Sequence, residues 1–213
     1  MKITWHGHTC FRLASRGLAT VVTDPYDHKM VGYKALNLRG TVVSVCQDSP
    51  HYNNISVVKP SPRVLNSPGE FEIGNVFITA VRTNGKKRGT DELRNTLYVF
   101  DFDGISIAHL GNMRRVPSQS RIEALGTINV ALVPIGGADG LNAAKAVEVI
   151  SLLEPGVVIP MLYSTPDSKL ELDPLEKFLK EMGLGQINTE TELNISSSAI
   201  PSETRVVVLD YEI

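Results

Sequence analysis

Residues 42–54 read VVSVCQDSPHYNN, and they join an apolar run to a polar corner. The apolar part, residues 41–45, predicts a short buried strand. The polar side chains, the proline and the Asn-Asn pair that follow are typical of a turn into the next segment. The function of the chain therefore depends largely on what four side chains of this corner can bind or catalyse: Gln47, Ser49, His51 and Tyr52.

Length and composition indicate one ordinary globular domain. The chain has 213 residues, of which 42% are hydrophobic and 21% charged, enough for one sizeable core. Its formal net charge of −2 gives no reason to expect a nucleic acid or a membrane as partner. The start of the chain lacks the apolar core of a signal peptide, so we expect a cytoplasmic protein. Cys10 and Cys46 are expected to be buried free thiols.

The first half of the chain is predicted to be rich in strands. Short apolar or alternating runs bounded by turn residues carry this prediction. The predicted strands are residues 2–5, 11–14, 19–23, 41–45, 63–65, 76–81, 96–102 and 105–110. Asp103-Gly104 separates the last two strands and is a strong signal for a two-residue hairpin turn.

The second half alternates helices with buried strands. Helical spacing predicts helices at residues 118–125, 143–153 and 173–182, with Asn142 as N-cap of the second. Strands are predicted at residues 130–135, 157–161 and 205–211. Two β-rich blocks with helices outside predict an α/β fold, a four-layer αββα sandwich, as a single domain over residues 1–213.

Several segments together resemble a known family. In chain order they are WHGHTCF, TDPY, PGEFEIGNVFITAV, RNTLYVFDFDGISIAHLGN, LVPIGG, VIPMLY and RVVVLDY. This pattern resembles the compact metallo-β-lactamase-fold hydrolases related to the ascorbate-phosphate lactonases. The resemblance extends over nearly the whole chain, and it implies a metallo-β-lactamase-type αββα sandwich.

The resemblance also implies where metal ligands would lie. Such enzymes use one or two divalent metals, whose bound hydroxide attacks a carbonyl or phosphoryl centre. The His-x-His-x-Asp-His run of the family corresponds to Gln47, Ser49, His51 and Tyr52. The next His falls in a segment after Val81 that contains none, the bridging Asp is Asn112, and the final His is Leu162.

None of these positions keeps its expected residue. A catalytic zinc needs about three protein ligands, and His51 offers the single imidazole. Neutral replacements remove the cost of clustered polar and charged groups without a metal. We therefore expect a metal-free, degenerate site with no cofactor; zinc or manganese would bind only if the site is rearranged.

The predicted pocket also includes residues outside the ligand positions. Its members are His8, Asp24, Gln47, Ser49, His51, Tyr52, Asn112, Leu162 and Tyr163. His8 is expected at the rim, bonded to backbone or catalytic, and Asp24 is interpreted first as a turn carboxylate that accepts backbone N–H groups. Ser49 and His51 are weaker candidates for a nucleophile and its base, and Asp48 is a further candidate that is too close in sequence to be assumed as the orienting third group. His109 is interpreted as a satisfied core histidine.

Basic residues crowd the segment where the family has its missing His. Arg82, Arg88, Arg114 and Arg115 are predicted to bind an anion at the same mouth, together with Lys86, Lys87 and Arg94. Guanidinium groups would keep the pocket attractive to phosphate or carboxylate compounds. A solvated charged loop is an equal alternative. Nucleic acid is less favoured, since no aromatic stacking platform accompanies the charges.

Three functional hypotheses follow. The first is a non-catalytic binding or regulatory module for a small anionic ligand or a protein partner. The second is a hydrolase of lactonase, esterase or phosphodiesterase type, metal-independent or with a metal held by some of His8, Asp24, Asp48 and His51. The third is a homo-oligomer subunit or a partner of an active relative.

Overall fold

Two β-sheets share one hydrophobic core in the computed structural model, which describes residues 1–83 and 94–211. The first sheet has the order β14 (Leu193–Asn194), β1 (Lys2–Trp5), β2 (Phe11–Ala14), β3 (Val21–Thr23), β5 (Val42–Ser44), β7 (Arg63–Leu65). The second has the order β15 (Arg205–Val206), β13 (Val157–Met161), β12 (Val130–Pro134), β11 (Ser106–His109), β10 (Thr96–Asp101), β9 (Val76–Arg82), β8 (Gly69–Ile73). A small ribbon pairs β4 (Leu38–Arg39) with β6 (Val58–Lys59). The helices are α1 (His28–Val31), α2 (Gln119–Glu123), α3 (Ala143–Leu153) and α4 (Leu175–Glu181).

The layers follow from which faces are apolar. Side chains of both sheets, including Trp5, Leu13 and Phe100, belong to one buried cluster. Strands β12 and β13 are buried at every position, as expected for parallel strands covered on both faces. Helix α3 contacts β12 and is flanked by α2 and α4. A second cluster around Tyr26, Val31 and α1 includes residues of the first sheet, which confirms the predicted αββα sandwich.

Many local predictions are confirmed. Strands β1, β2, β7 and β13 and helix α3 begin and end at the predicted residues. The side chain of Asn142 caps α3 by accepting a hydrogen bond from the backbone N–H of Lys145 at 3.1 Å. Asp103 and Gly104 have φ angles of 54° and 82°, and they join the antiparallel pair β10 and β11. Both cysteines are buried and free.

Other boundaries differ from the prediction. The predicted strand 205–211 forms a ladder only at Arg205–Val206, and Leu209 and Tyr211 make isolated bridges to Glu190 and Trp5. Helix α4 begins at Leu175, since Pro174 takes the N-cap position with an extended backbone. Strand β8, sequence GEFEI, was not predicted because its two glutamates and its glycine have low strand propensity. It lies at an edge of the second sheet.

The topology brings several strand ends together. Strand β5 runs parallel to β3 and β7, and β11, β12 and β13 are parallel neighbours. Ligand sites of α/β folds usually lie beyond the carboxyl ends of parallel strands. The loops after β5, β11, β12 and β13 are therefore where a site is expected. No helix within the described ranges is long and apolar enough to cross a membrane.

Candidate functional site

A cavity of about 460 Å³ lies among these loops. Its size falls within the range of small-molecule sites, roughly 300–1,000 Å³. The residues at the implied ligand positions line it together: Gln47, Ser49, His51, Tyr52, Asn112 and Leu162. They come from the loops after β5, β11 and β13, so both sheets contribute to the lining. The structure thus brings together six of the nine predicted pocket residues.

The other three predicted pocket residues lie behind the cavity wall. Asp24 is fully buried, and its Oδ1 accepts the backbone N–H of Cys46 at 2.7 Å, so it bonds to backbone of the corner after β5 and not of its own turn. The His8 ring is buried against the ring of Tyr52, with the ring centroids 4.9 Å apart. Tyr163 packs on Trp5 at 5.3 Å. The prediction that these side chains line the pocket, with His8 at its rim, is therefore corrected.

Burial shifts the pKa values of His8 and Asp24, which do not line the cavity. Desolvation lowers the pKa of His8 to about 3, with His51 and His109 adding to the effect, so His8 is neutral near pH 7. Desolvation also raises the pKa of Asp24, opposed by His109. The Nε2 of His109 lies 2.9 Å from the Thr9 carbonyl and 3.8 Å from Asp24 Oδ2. His109 is buried as expected, but its Nδ1 has no partner among the described residues, so it is only half satisfied.

Unpaired polar groups mark one end of the cavity. Gln47 and Asn112 are only 2% and 8% exposed. Within the described part of the chain, Gln47 Nε2, Asn112 Oδ1 and Arg114 Nε are buried without a hydrogen-bond partner. Most buried polar groups in proteins do have partners. All three residues line the cavity, but the unpaired atoms themselves are closed off from solvent. A bound molecule could supply the missing hydrogen bonds once these side chains turn towards it.

The backbone around the cavity is held in conformations that favour glycine. Leu162 and Ala138 line the cavity with φ angles of 53° and 51°. Such left-handed residues typically cost about 1–3 kcal/mol and concentrate at functional sites. The close approach of Gly140 matters as well, because a Cβ there would lie 2.7 Å from Asn112 Oδ1. The shape of this part of the cavity therefore depends on the left-handed backbone of Leu162 and Ala138 and on the lack of a side chain at Gly140.

Ser49 and His51 are in contact, but they do not form a triad. Ser49 Oγ lies 3.4 Å from His51 Nδ1 and accepts the His51 backbone N–H at 3.3 Å. Asp48 instead accepts a hydrogen bond from Asn53 Nδ2 at 2.7 Å. Among the described contacts, Asp48 therefore does not orient the His51 ring. The pair alone resembles a local turn contact as much as a nucleophile and its base.

The basic residues do not share one mouth. Arg114 lines the main cavity and places its Nη2 3.3 Å from Asp139 Oδ2. Arg82 and Arg94 line a separate cavity of about 330 Å³, which Asp48 also lines. Arg82 is the last residue of β9, and the strand places it at this second cavity. Arg115 is exposed and is not among the residues lining either cavity. The predicted Lys86, Lys87 and Arg88 lie outside the described residues.

The donor set does not fit a catalytic zinc. The described residues contain no group of three or more His, Cys, Asp or Glu side chains that could hold a metal ion. Leu162 offers no donor atom, and burial raises the pKa of the Tyr52 phenol well above its ordinary value, which disfavours a phenolate ligand. His51 remains as a single imidazole, whereas about three ligands are needed.

Part of the cavity was missed from sequence. Residues 137–140 and Leu170, Glu171 and Leu172 also line it. The glycines after β12 were a usable signal, because a glycine turn at the carboxyl end of a parallel strand often borders a site. No local pattern distinguishes the segment that contains the two leucines from an ordinary loop.

Comparison with known proteins agrees with this fold. A crystal structure of a proposed Zn-dependent hydrolase of the metallo-β-lactamase superfamily from Thermotoga maritima is 32% identical, with a TM-score of 0.81 and 99% of both chains covered. A UPF0173 metal-dependent hydrolase of Thermoplasma acidophilum is 27% identical over 84% of this chain and 89% of its own length. A UPF0173 protein of Pyrococcus abyssi is 24% identical over 78% of this chain and 84% of its own.

The family assignment rests on most of the chain. The family described as β-lactamase superfamily domain matches residues 2–162, a segment that contains β1 to β13 and every implied ligand position. The chain therefore belongs to the β-lactamase superfamily, with the metallo-β-lactamase fold and relatives named as metal-dependent hydrolases.

Proposed function

We propose that this chain binds a small molecule through an anionic group in the main cavity and does not carry out the metal-dependent hydrolysis for which its relatives are named. The observation that carries the proposal is the composition of the cavity lining. Positions that correspond to metal ligands in the family converge there, yet they hold two amides, a hydroxyl, an imidazole, a phenol and an aliphatic chain. A charged metal would find one imidazole in place of the ligands it needs.

The anionic group is inferred from the donors that remain. Arg114 brings a permanently charged guanidinium to the cavity, a group well suited to carboxylate and phosphate oxygens. Its partner Asp139 is 79% exposed, and an exposed ion pair contributes at most about 1 kcal/mol. An entering anion can therefore replace this contact at little cost. The amide of Gln47, buried and unpaired at Nε2, supplies a second donor.

Metal analysis and anion titration test the proposal together. We expect purified protein to contain far less than one equivalent of zinc, manganese or iron. We also expect calorimetric titration with acetate or phosphate to give binding that Arg114→Gln removes. Arg63→Gln, an exposed arginine in β7, is the matched control and should bind as the wild type does. One equivalent of metal, with anomalous scattering beside His51 or Asn112, would overturn the proposal.

A hydrolase with a rearranged, metal-independent site is the second candidate. The contact of Ser49 Oγ with His51 Nδ1 and the names of the relatives favour it. It requires turnover of an ester, lactone or phosphodiester that collapses in both Ser49→Ala and His51→Ala. A broad panel with no activity above a heat-denatured control would remove this candidate and leave the binding proposal standing.

A further inference from the structure

The charges around the cavity favour a ligand that carries a positive group as well as a negative one. Among the described residues that line the cavity, Arg114 carries the permanent positive charge, and its side chain is 17% exposed. Two carboxylates, Asp139 and Glu171, line the same cavity, and both are exposed. The positive charge therefore lies deeper than the negative charges. A ligand with a single negative charge would satisfy Arg114 and face two carboxylates of its own sign.

The unpaired polar atoms need a ligand with both acceptors and a donor. Gln47 Nε2 and Arg114 Nε donate hydrogen bonds, and both are buried without a partner among the described residues. When these two side chains turn towards the cavity, carboxylate oxygens of a ligand would accept from them. Asn112 Oδ1 is an acceptor that is also buried without a partner among the described residues, and a Cβ added at Gly140 would lie 2.7 Å from it. It requires an N–H or O–H group from the bound molecule.

One wall of the cavity is apolar. Leu162, Leu170 and Leu172 line it, and the first of these is 4% exposed. All three belong to the core cluster or pack against it, so they present a firm aliphatic surface. A ligand with a short aliphatic chain would gain binding free energy by burying that chain against these leucines.

We propose that the ligand is a free 2-amino acid with an aliphatic side chain, of which leucine is an example. This inference rests on the proposed function, since it gives the chemistry of the molecule that carries the anionic group. The carboxylate lies on Arg114 and Gln47, and the ammonium group donates to Asn112 Oδ1 and faces Asp139 and Glu171. The side chain lies on the three leucines. Arg114, Asp139 and Glu171 then each meet an opposite charge.

A series of compounds that each lack one group tests this assignment in calorimetric titrations at pH 7. The probes are L-leucine, 4-methylpentanoate without the ammonium group, leucinamide without the carboxylate, and glycine without the aliphatic chain. We expect each of the three truncated probes to bind about 10-fold or more weakly than leucine, because each leaves a buried group unpaired or an apolar wall bare. L-2-Hydroxy-4-methylpentanoate, which keeps the donor but not the charge, should also bind more weakly.

Glu171→Gln tests whether the negative charge at this exposed residue attracts the ammonium group of the ligand, and its replacement does not threaten folding. It should weaken leucine binding about 2- to 5-fold, the usual size for an exposed charge pair, and strengthen 4-methylpentanoate binding. Asn112→Leu should weaken leucine about 10-fold or more and affect 4-methylpentanoate less. Arg63→Gln should change neither.

Different results would overturn the amino acid ligand and the anion site. If acetate, phosphate or 4-methylpentanoate binds as tightly as leucine, with dependence on Arg114, the amino acid assignment is overturned and the anion site remains. If hydroxy acid binds more tightly than leucine, the ligand is a hydroxycarboxylate. If no probe binds and Arg114→Gln changes nothing, both the amino acid and the anion site are wrong.

Discussion

Asn112→Asp restores the acid that the family carries at this position, and its effect should be a loss of stability. Asn112 is 8% exposed and its Oδ1 has no partner among the described residues. A carboxylate placed there would be desolvated, which raises its pKa by up to about 3–5 units when burial is complete. The guanidinium of Arg114, in the same cavity, opposes part of this shift.

The expected loss in free energy of unfolding can be converted into a change in melting temperature. A net rise of about 1.5–3 pKa units corresponds to about 2–4 kcal/mol at pH 7.5, at about 1.4 kcal/mol per unit. For a chain of this size the loss would lower Tm by about 4–16 °C. The folded pKa is raised, so the deficit is nearly absent below about pH 4, where the unfolded carboxyl is protonated. The deficit grows as the pH rises through the folded pKa.

Thermal unfolding at pH 4.5 and 7.5 measures this effect against two controls. Asn37→Asp, at an exposed position, should change Tm by less than about 2 °C at either pH. Zinc added to Asn112→Asp should not restore stability, because one carboxylate and His51 do not complete a metal site. A stability deficit independent of pH, or a zinc-induced rise of several degrees, would refute the reasoning that the cavity is no longer a metal centre.

Three further predictions concern the surrounding wall. Because the pKa of His8 is lowered to about 3, the unfolded chain binds a proton below about pH 6.5 that the folded chain does not. Urea unfolding should therefore show stability falling from pH 6.5 towards 4, and His8→Gln should flatten that fall. Gly140→Ala would place a Cβ 2.7 Å from Asn112 Oδ1, so it should displace that side chain and weaken ligand binding about 10-fold in calorimetry. Gly185→Ala has open space around it and should leave the affinity unchanged. Equal affinities in the two variants would contradict this prediction. Asp24→Leu should cost about 1–3 kcal/mol in urea unfolding by stranding the Cys46 N–H, whereas Asp24→Asn, which keeps an acceptor, should cost clearly less.

The sequence was sufficient wherever one segment determines its own structure. Strand β13 is apolar throughout and α3 has a cap and a helical period, so both ends of each were predicted correctly. Six residues of the cavity were also predicted, because the resemblance places their segments beside one another. Edge strand β8 was missed because its pairing with β9 comes from the partner strand and not from its own composition.

The remainder of the site depends on packing between distant segments. Whether Arg82 or Arg114 faces the main cavity depends on where β9 ends relative to the corner after β5, a distance that no local pattern contains. The contribution of Leu170 and Leu172 depends on how the segment after β13 folds back over the cavity. His8 was placed at the rim because a loop histidine is usually exposed, yet the ring of Tyr52 covers it.

The composition of β8 has a consequence for the behaviour of the protein in concentrated solution. Its neighbour β9 carries Phe77, a large apolar side chain that is 59% exposed, directly opposite Glu72 in the ladder. An edge strand can add a strand from another molecule, and charged side chains along it discourage this pairing. Glu70 and Glu72 are therefore expected to disfavour the addition of a strand from another molecule beside the apolar segment VFITAV. The residues that made this strand difficult to recognise are thus the ones that would oppose growth of the sheet beyond the molecule.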